Sequence, residues 1–495
     1  MAKIVIVGGG VSGLSAGIFA CLNGFDTEIY ESNTKIGGEC ISWDRQGYRF
    51  DGSVQWLVGT REGTDLNDMW KTLGAFDNDK VRVNDIFLTV EHNGQKAYLY
   101  RDVEKLEKHW CEVSPEDKKL VSEFCKYAKK AKGFSMPVNK NMVEMGVLDY
   151  MKMGPKMMGM SGLMMKYGKT NGDEYYSRFK SPLIRNALKT LALPCYPAYS
   201  AASIMGSLYA NDGGWPMGGS TGITSNMCEK FKSLGGKIYN NAPVDKIILD
   251  GNKAIGIELA DGKRVKADYV VSSTDISVTL NKLLEGKVKD DSFEEILHGT
   301  SGNYQFGSCV YVGVGVNADL SEYDQTLVTT LEKTMTFGKD LIEDIHITVY
   351  NDETGFAPKG KSVAKTIIQL YDYEYWENLA KDKDAYKQVK ENVAEAVIKH
   401  MEKVYPKSKG QVEVVDVATP VTYNRYCGAY HGAWMGYAAN AKAKEKNHAC
   451  YLKGIDNLAL AGQWLSTPGG LSVAAATGKF AIQEVCSSLK VSFKE

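Results

Sequence analysis

KIVIVGGGVSGLSAGIFACLNGFDTEIYE, residues 3–31, is the stretch that decides the fold. Its residues 4–7 form an apolar run suited to a strand buried on both faces of a parallel sheet. Gly8-Gly9-Gly10-Val11-Ser12-Gly13 follows at once and fits G-x-G-x-x-G. Residues 14–23 then predict a helix, with Ala16, Gly17 and Ala20 small enough to let it lie close on a sheet. Gly24 ends that helix, and Thr27, Glu28, Ile29 and Tyr30 predict a second strand finishing at Glu31. Glycines let backbone approach a pyrophosphate, whose charge rests on N–H groups at the positive end of the helix. Glu31, 18 residues beyond Gly13, is spaced to accept hydrogen bonds from a ribose 2′-OH. An acid at this point favours FAD or NAD over NADP, whose 2′-phosphate it would repel.

A second glycine-rich run, Gly313-Val314-Gly315-Val316-Asn317-Ala318, sits within alternating residues 309–316, and no helix–strand–acid succession follows it. It predicts a strand whose glycines mark close packing. One dinucleotide site in the chain implies a resident flavin rather than a flavin plus a nicotinamide domain.

At 495 residues the chain exceeds the size of one hydrophobic core, so two or more domains are expected. Apolar content of 44% and charged content of 24% are those of a globular protein. A formal net charge of −1, with Lys and Arg scattered, argues against a nucleic-acid partner. None of the ten cysteines forms C-x-x-C or falls at zinc spacing with the seven histidines, so no metal is expected. Dispersed thiols point to a reducing cytoplasm. The N-terminal residues are too short an apolar run for a signal peptide. Residues 190–211 and 457–478 are uncharged over a bilayer's length, but Pro194 and Pro197 interrupt the first and Pro468-Gly469-Gly470 the second. Both are read as buried protein.

Beyond Glu31, Lys35-Ile36-Gly37-Gly38-Glu39-Cys40 and Gly47-Tyr48-Arg49-Phe50-Asp51-Gly52-Ser53 resemble the G-G-[RK] and G-F-x-F-D-x-G elements of the FAD amine-oxidase clan. Asn457-Leu458-Ala459-Leu460-Ala461-Gly462, Pro468-Gly469-Gly470 and residues 474–478 resemble its C-terminal N-L-Y-L-A-G…P-G-G-G…S-G. Thr419-Pro420, Arg425-Tyr426 and Gly436 resemble its T-P…R…G loop near the flavin ring. Within the clan the chain is most similar to phytoene desaturases, carotenoid isomerases and retinol saturases. Two positions depart from the pattern. Glu39 stands where the family commonly has Arg or Lys beside the pyrophosphate, and Leu471 follows only two glycines.

The resemblance implies an α/β fold: a Rossmann-like FAD-binding domain of glutathione-reductase type, an inserted mixed-sheet substrate domain and a helical lid. The FAD-binding domain is expected in 1–75, 212–290 and 450–495, the substrate domain in 76–110 and 291–449, and the methionine-rich lid in 111–211. Residues implied to hold FAD are Gly8, Gly10, Val11, Ser12, Gly13, Glu31, Ser32, Gly38, Glu39, Ser53, Val54, Val244, Ser273, Gly462, Gln463, Gly470, Leu471 and Ser472. Acid–base candidates in the flavin-facing loop are Tyr423, Tyr426, Tyr430 and His431.

The lid contains MKMGPKMMGMSGLMMK, residues 151–166. As a helix after Gly154-Pro155 it puts Met157, Met160 and Met164 on one stripe, Met158 and Met165 beside it, and Lys156, Gly159, Gly162 and Lys166 behind. Methionine adapts to irregular apolar shapes. The expected role is a pliable cover over an apolar substrate, lying shallowly in a bilayer as a peripheral contact. The implied activity is FAD-dependent chemistry on C–C or C=C bonds of a polyene, isoprenoid or acyl chain. Two alternatives stand beside it: an amine oxidase, with aromatics drawn from Tyr426, Tyr430, Trp434 and Trp464, and a non-catalytic prenyl-binding protein like the Rab GDP-dissociation inhibitors. Oligomeric state is not legible.

Overall fold

The computed structural model describes every residue except Glu445, and in residues 155–158 the helical backbone but not the side chains. Lys3–Val7 is the middle of a five-stranded parallel sheet, ordered Leu458–Leu460, Tyr269–Ser272, Lys3–Val7, Asp26–Tyr30, Lys237–Tyr239. Ile4, Val5 and Ile6 are wholly buried, with the helix Val11–Leu22 packed on the sheet and a small antiparallel sheet of Val244–Asp250, Lys253–Leu259 and Arg264–Lys266 meeting its Tyr269–Ser272 strand. Val11–Leu22 packs against the C-terminal helix Leu471–Ser488, so the two ends of the chain share one core.

A second, seven-stranded sheet runs Val412–Ala418, Ser308–Val316, Ser362–Leu370, Asp340–Asn351, Thr326–Phe337, Ile86–His92, Gln95–Tyr100. It is antiparallel except where Thr326–Phe337 meets Ile86–His92. One face carries Val310, Val312, Val314, Ile345 and Ile347, and packs on Val393, Val397 and Met401 of the helix Lys383–Val404. The opposite face carries Gly313 and Gly315. A Cβ on Gly313 would lie 2.7 Å from the Phe50 ring, and one on Gly315 2.8 Å from Tyr48. These glycines therefore mark close packing inside a strand, as the sequence indicated. The architecture is the expected α/β one with a large mixed sheet. The two strands Ile86–His92 and Gln95–Tyr100, and Thr326–Phe337, are additions that the sequence did not reveal.

Helices Val103–Val113, Lys118–Ala131, Val147–Tyr167, Pro182–Leu191 and Tyr199–Tyr209 enclose a further core of Trp110, Phe124, Met160, Leu163, Ile184 and Met205. The methionine-rich helix differs from expectation in two ways. It starts at Val147 rather than after Pro155, with Asp149 accepting from the Gly146 N–H at 3.0 Å to seal its first turn. Gly159, expected at the back, faces the helix Lys118–Ala131, where a Cβ would lie 1.9 Å from the Lys130 carbonyl. Met160 is 2% exposed, Met164 39% and Met165 84%. The side chains of Lys156, Met157 and Met158, on which the rest of the stripe depends, lie outside the described residues. Among the described residues no helix is long and apolar enough to cross a membrane.

Candidate cofactor cradle and aromatic wall

The cradle forms at the carboxyl ends of the parallel strands, where ligands bind in open α/β sheets. Gly8 leaves the first strand with φ +100°, and its N–H bonds to the Tyr30 carbonyl at 2.9 Å. A Cβ on Gly13 would stand 2.0 Å from the Gly8 carbonyl, so only glycine permits this turn. Gly10 is the N-cap of Val11–Leu22, and no side chain caps that helix. Its positive end is open to an anion. Val11 and Ser12 continue the turn, with Ser12 Oγ 2.8 Å from Ser273 Oγ.

Glu31 is 4% exposed. Its Oε2 accepts from the Gly9 N–H at 2.8 Å, and Oε1 from the Asn33 N–H and amide at 2.8 and 2.9 Å; the exposed Ser32 hydroxyl adds a longer bond at 3.3 Å. The carboxylate is thus fixed at the strand tip. Gly38 and Glu39 follow. Glu39 is half-buried. Burial, with the nearby Asp275 charge adding to it, pushes its carboxyl up to about 8, against the opposing hydrogen bond from Gln463. Asp275 is itself pushed up to about 6 by burial, although the Tyr430 N–H and Ser277 hold its oxygens.

Asp51 anchors the neighbouring loop. It accepts from the N–H groups of Ser53, Val54 and Ser220 and from the Ser220 hydroxyl. Beneath it lies Lys365, 1% exposed, whose Nζ is 3.2 Å from the Val54 carbonyl and 3.9 Å from Asp51 Oδ1. From the C-terminal side, Gly470 N–H donates to Gln463 Oε1 and Ser472 Oγ to the Val58 carbonyl. Gly462 carries φ +142° and Gly470 φ +85°, both in the region that favours glycine, and Leu471 opens the last helix. Val244 is buried at the head of a separate small sheet, paired with Leu259.

Beyond the cradle stands an aromatic wall. Phe306 lies 5.1 Å from Tyr430 and 5.9 Å from Trp464, and Tyr437 lies 5.7 Å from Trp464. His431 stacks between Tyr430 at 4.1 Å and Tyr373 at 5.2 Å, and burial pushes its imidazole down, so it stays neutral near pH 7. Tyr430 donates to the Leu297 carbonyl at 3.0 Å. Tyr423 faces Cys309, 3.5 Å from its sulfur, with burial holding its phenol far above the ordinary range and the Glu39 charge felt there. Tyr426 does not join them. It is 57% exposed, and its carbonyl receives the Asn33 amide at the Glu31 end. The sequence reading missed Asp275 and Phe306. Asp275, three residues beyond the strand Tyr269–Ser272, had a usable signal: an acid just past a strand's carboxyl end.

A family model described as flavin containing amine oxidoreductase matches residues 11–486. The chain belongs to this family. All-trans-retinol 13,14-reductase of Danio rerio is 23% identical over 500 residues, 87% of this chain and 77% of that protein. The lycopene-forming phytoene desaturase of Paracoccus sp. is 26% identical over 290 residues, which span 57% of this chain and 56% of the relative. The prolycopene isomerase of Arabidopsis thaliana is 22% identical over 87% of this chain and 73% of its own. Among solved structures, an oxidoreductase from Methanosarcina mazei superposes with a TM-score of 0.63 at 15% identity, over 97% of this chain and 100% of that one. Cyclohexylamine oxidase from Brevibacterium oxydans gives 0.59 at 13%, over 98% and 99%. These two share the fold.

A flavin is the cofactor of this amine oxidoreductase family, and the residues present fit one. The helix end is uncapped, a Cβ at Gly13 has no room, and burial pushes the Glu39 carboxyl up to about 8. A carboxyl that holds its proton would not repel a pyrophosphate bound at that helix end.

Proposed function

We propose that this chain is an FAD-dependent oxidoreductase acting on C–C or C=C bonds of an apolar polyene, isoprenoid or acyl chain, by desaturation, saturation or isomerisation. The FAD-binding part is assigned to 1–75, 212–290 and 450–495, the substrate part to 76–110 and 291–449, and the lid to 111–211. Gly8, Gly10, Val11, Ser12, Gly13, Gly38, Glu39, Gly462 and Gln463 would take the pyrophosphate, and Glu31 with Ser32 the ribose. Ser53, Val54, Val244, Ser273, Gly470, Leu471 and Ser472 complete the proposed contacts. When bound, FAD supplies hydride acceptance and donation. The chain's part is to orient an apolar bond, exclude water and hold a proton at Tyr423, Tyr430 or His431; Tyr426 is the weakest of the four candidates.

The observation that carries this reading is the pair of half-buried rings Phe306 and Tyr430, backed by the buried Trp464 and tied to the strand ends by the Tyr430 N–H that Asp275 accepts. Apolar rings beside the cradle suit an apolar substrate. The relatives, a retinol 13,14-reductase, a phytoene desaturase and a prolycopene isomerase, point the same way. The reading includes shallow contact with a lipid surface through Val147, Leu148 and Met151, which are 77%, 72% and 68% exposed. The deciding experiment is anaerobic reduction of the bound flavin, followed by a screen of retinoids, carotenes, unsaturated fatty acids and amines. Oxidation or reduction of a polyene supports the reading; turnover of amines alone overturns it.

A further inference from the structure

A small cavity lies between the large sheet, the helix Pro182–Leu191 and the segment that follows Val54. Its lining includes Arg82, Arg101, His346, Trp56, Trp215 and Phe87, and contains no Asp or Glu. We propose that this cavity holds the carboxylate of an apolar acid whose chain runs toward the flavin cradle. The inference rests on the proposed apolar-substrate reading and adds the substrate's polar end.

Arg101 is 6% exposed and donates to two carbonyls, Asp212 O at 2.8 Å and Gly213 O at 2.6 Å, while its Nε–H has no partner among the described residues. The neighbouring Asp212 carboxylate is already committed to the N–H groups of Gly59, Thr60, Arg61 and Gly213. The Asp212 charge acts on Arg101, but its carboxylate makes no hydrogen bond to the guanidinium, so the Arg101 Nε–H remains a buried donor without an acceptor among the described residues. Arg82 has one ion pair among the described residues, with Glu353 at 3.5 Å, and that carboxylate is 73% exposed and screened by water. A third cation, Lys365, is close enough to depress the His346 imidazole, which burial already pushes down to about 4. His346 is therefore a neutral group that adds no charge. Two more lining donors, Trp215 Nε1–H and the Tyr350 hydroxyl, are buried without partners among the described residues. Buried donors of this kind normally find an acceptor.

Size selects the ligand's part. The cavity offers about 70 Å³ of space, room for several waters. That suits a polar headgroup and not a whole chain. Phe87, Leu88 and Leu191 give the cavity an apolar side, and its lining residues Gln55 and Trp56 directly follow Ser53 and Val54, which are proposed to meet the flavin.

The test uses flavin-loaded full-length protein at pH 8 and three probes with one chain: all-trans-retinoate, all-trans-retinol and retinyl phosphate, read by quenching of tryptophan emission. Retinoate is expected to bind at least about 10-fold tighter than retinol, the size of one charge-assisted hydrogen bond. Arg82→Gln, at the half-exposed rim where folding is not at stake, is expected to remove most of that preference and leave retinol binding unchanged. Equal binding of acid and alcohol, or a preference that survives Arg82→Gln, overturns this inference while leaving the apolar-substrate reading intact. Tightest binding of retinyl phosphate overturns the carboxylate assignment in favour of a phosphate site. Failure of all three probes to bind overturns the apolar-substrate reading, and this inference with it.

Discussion

Gln463 Nε2–H donates to Glu39 Oε2 across 3.0 Å, and the same side chain's Oε1 accepts from Gly470 N–H at 3.2 Å. One amide thus ties the loop after the second strand to the turn before the last helix. Among the described residues this is the one hydrogen bond to the Glu39 carboxyl, too little to offset its burial, so the carboxyl is pushed toward its protonated form.

This sets a pH dependence. The Glu39 carboxyl titrates at its ordinary 4.5 when unfolded and at about 8 in the fold. Between these values the folded state binds the extra proton, so stability falls as pH rises through that window. Asp275, raised from 3.8 to about 6, contributes the same sign at lower pH. Glu39→Gln keeps the shape and removes the upper slope. The variant should match wild type near pH 4.5 and melt a few degrees higher above pH 8. Parallel melting curves across pH 5–8 would mean that Glu39 is ionised throughout.

Glu31→Gln should loosen flavin. Removing the negative charge weakens the bonds from Gly9 and Asn33 and the proposed ribose contact, each charge-assisted and worth roughly 1.5–3 kcal/mol. Flavin absorbance after gel filtration should fall relative to wild type. Full retention would place the ribose partner elsewhere.

The three tyrosines of the loop should separate. Tyr430→Phe loses the bond to Leu297 and should cost about 1 kcal/mol of stability. Tyr423→Phe keeps the ring but removes the phenol that meets Cys309, and should lower turnover with flavin still bound. Tyr426→Phe changes an exposed ring and should alter neither. Loss of turnover in Tyr426→Phe alone would reverse this ordering.

The strand–turn–helix–strand unit was legible because its determinants are local: apolar strand, glycine turn, helix and acid all fall within residues 3–31. Gly313 and Gly315 were legible as close-packing glycines, but the partners Phe50 and Tyr48 were not, since they come from a hairpin more than 250 residues away in sequence. The charge state of Glu39 was hidden for the same reason. It depends on burial and on Asp275, which only the fold brings near. The methionine-rich helix misled because periodicity gives relative angles and not the absolute face. Gly159 decides the face by admitting the Lys130 carbonyl.

That helix supplies the last prediction. Met160 is 2% exposed among Leu163, Phe124 and Met205, whereas Met165 is 84% exposed on the same helix. Glutamine matches methionine in length and nearly in helix propensity, so the substitution tests burial alone. Met160→Gln puts an amide into the core without a designed partner and should destabilise by about 1–3 kcal/mol. Met165→Gln should shift stability by less than about 0.5 kcal/mol. If the exposed face touches lipid, replacing Leu148, Met151 and Met165 together by Gln should reduce recovery with liposomes in a flotation assay and leave the melting temperature in place. Wild-type protein that does not float at low salt would defeat the lipid contact, and a Met160→Gln variant as stable as wild type would mean that water reaches this part of the core.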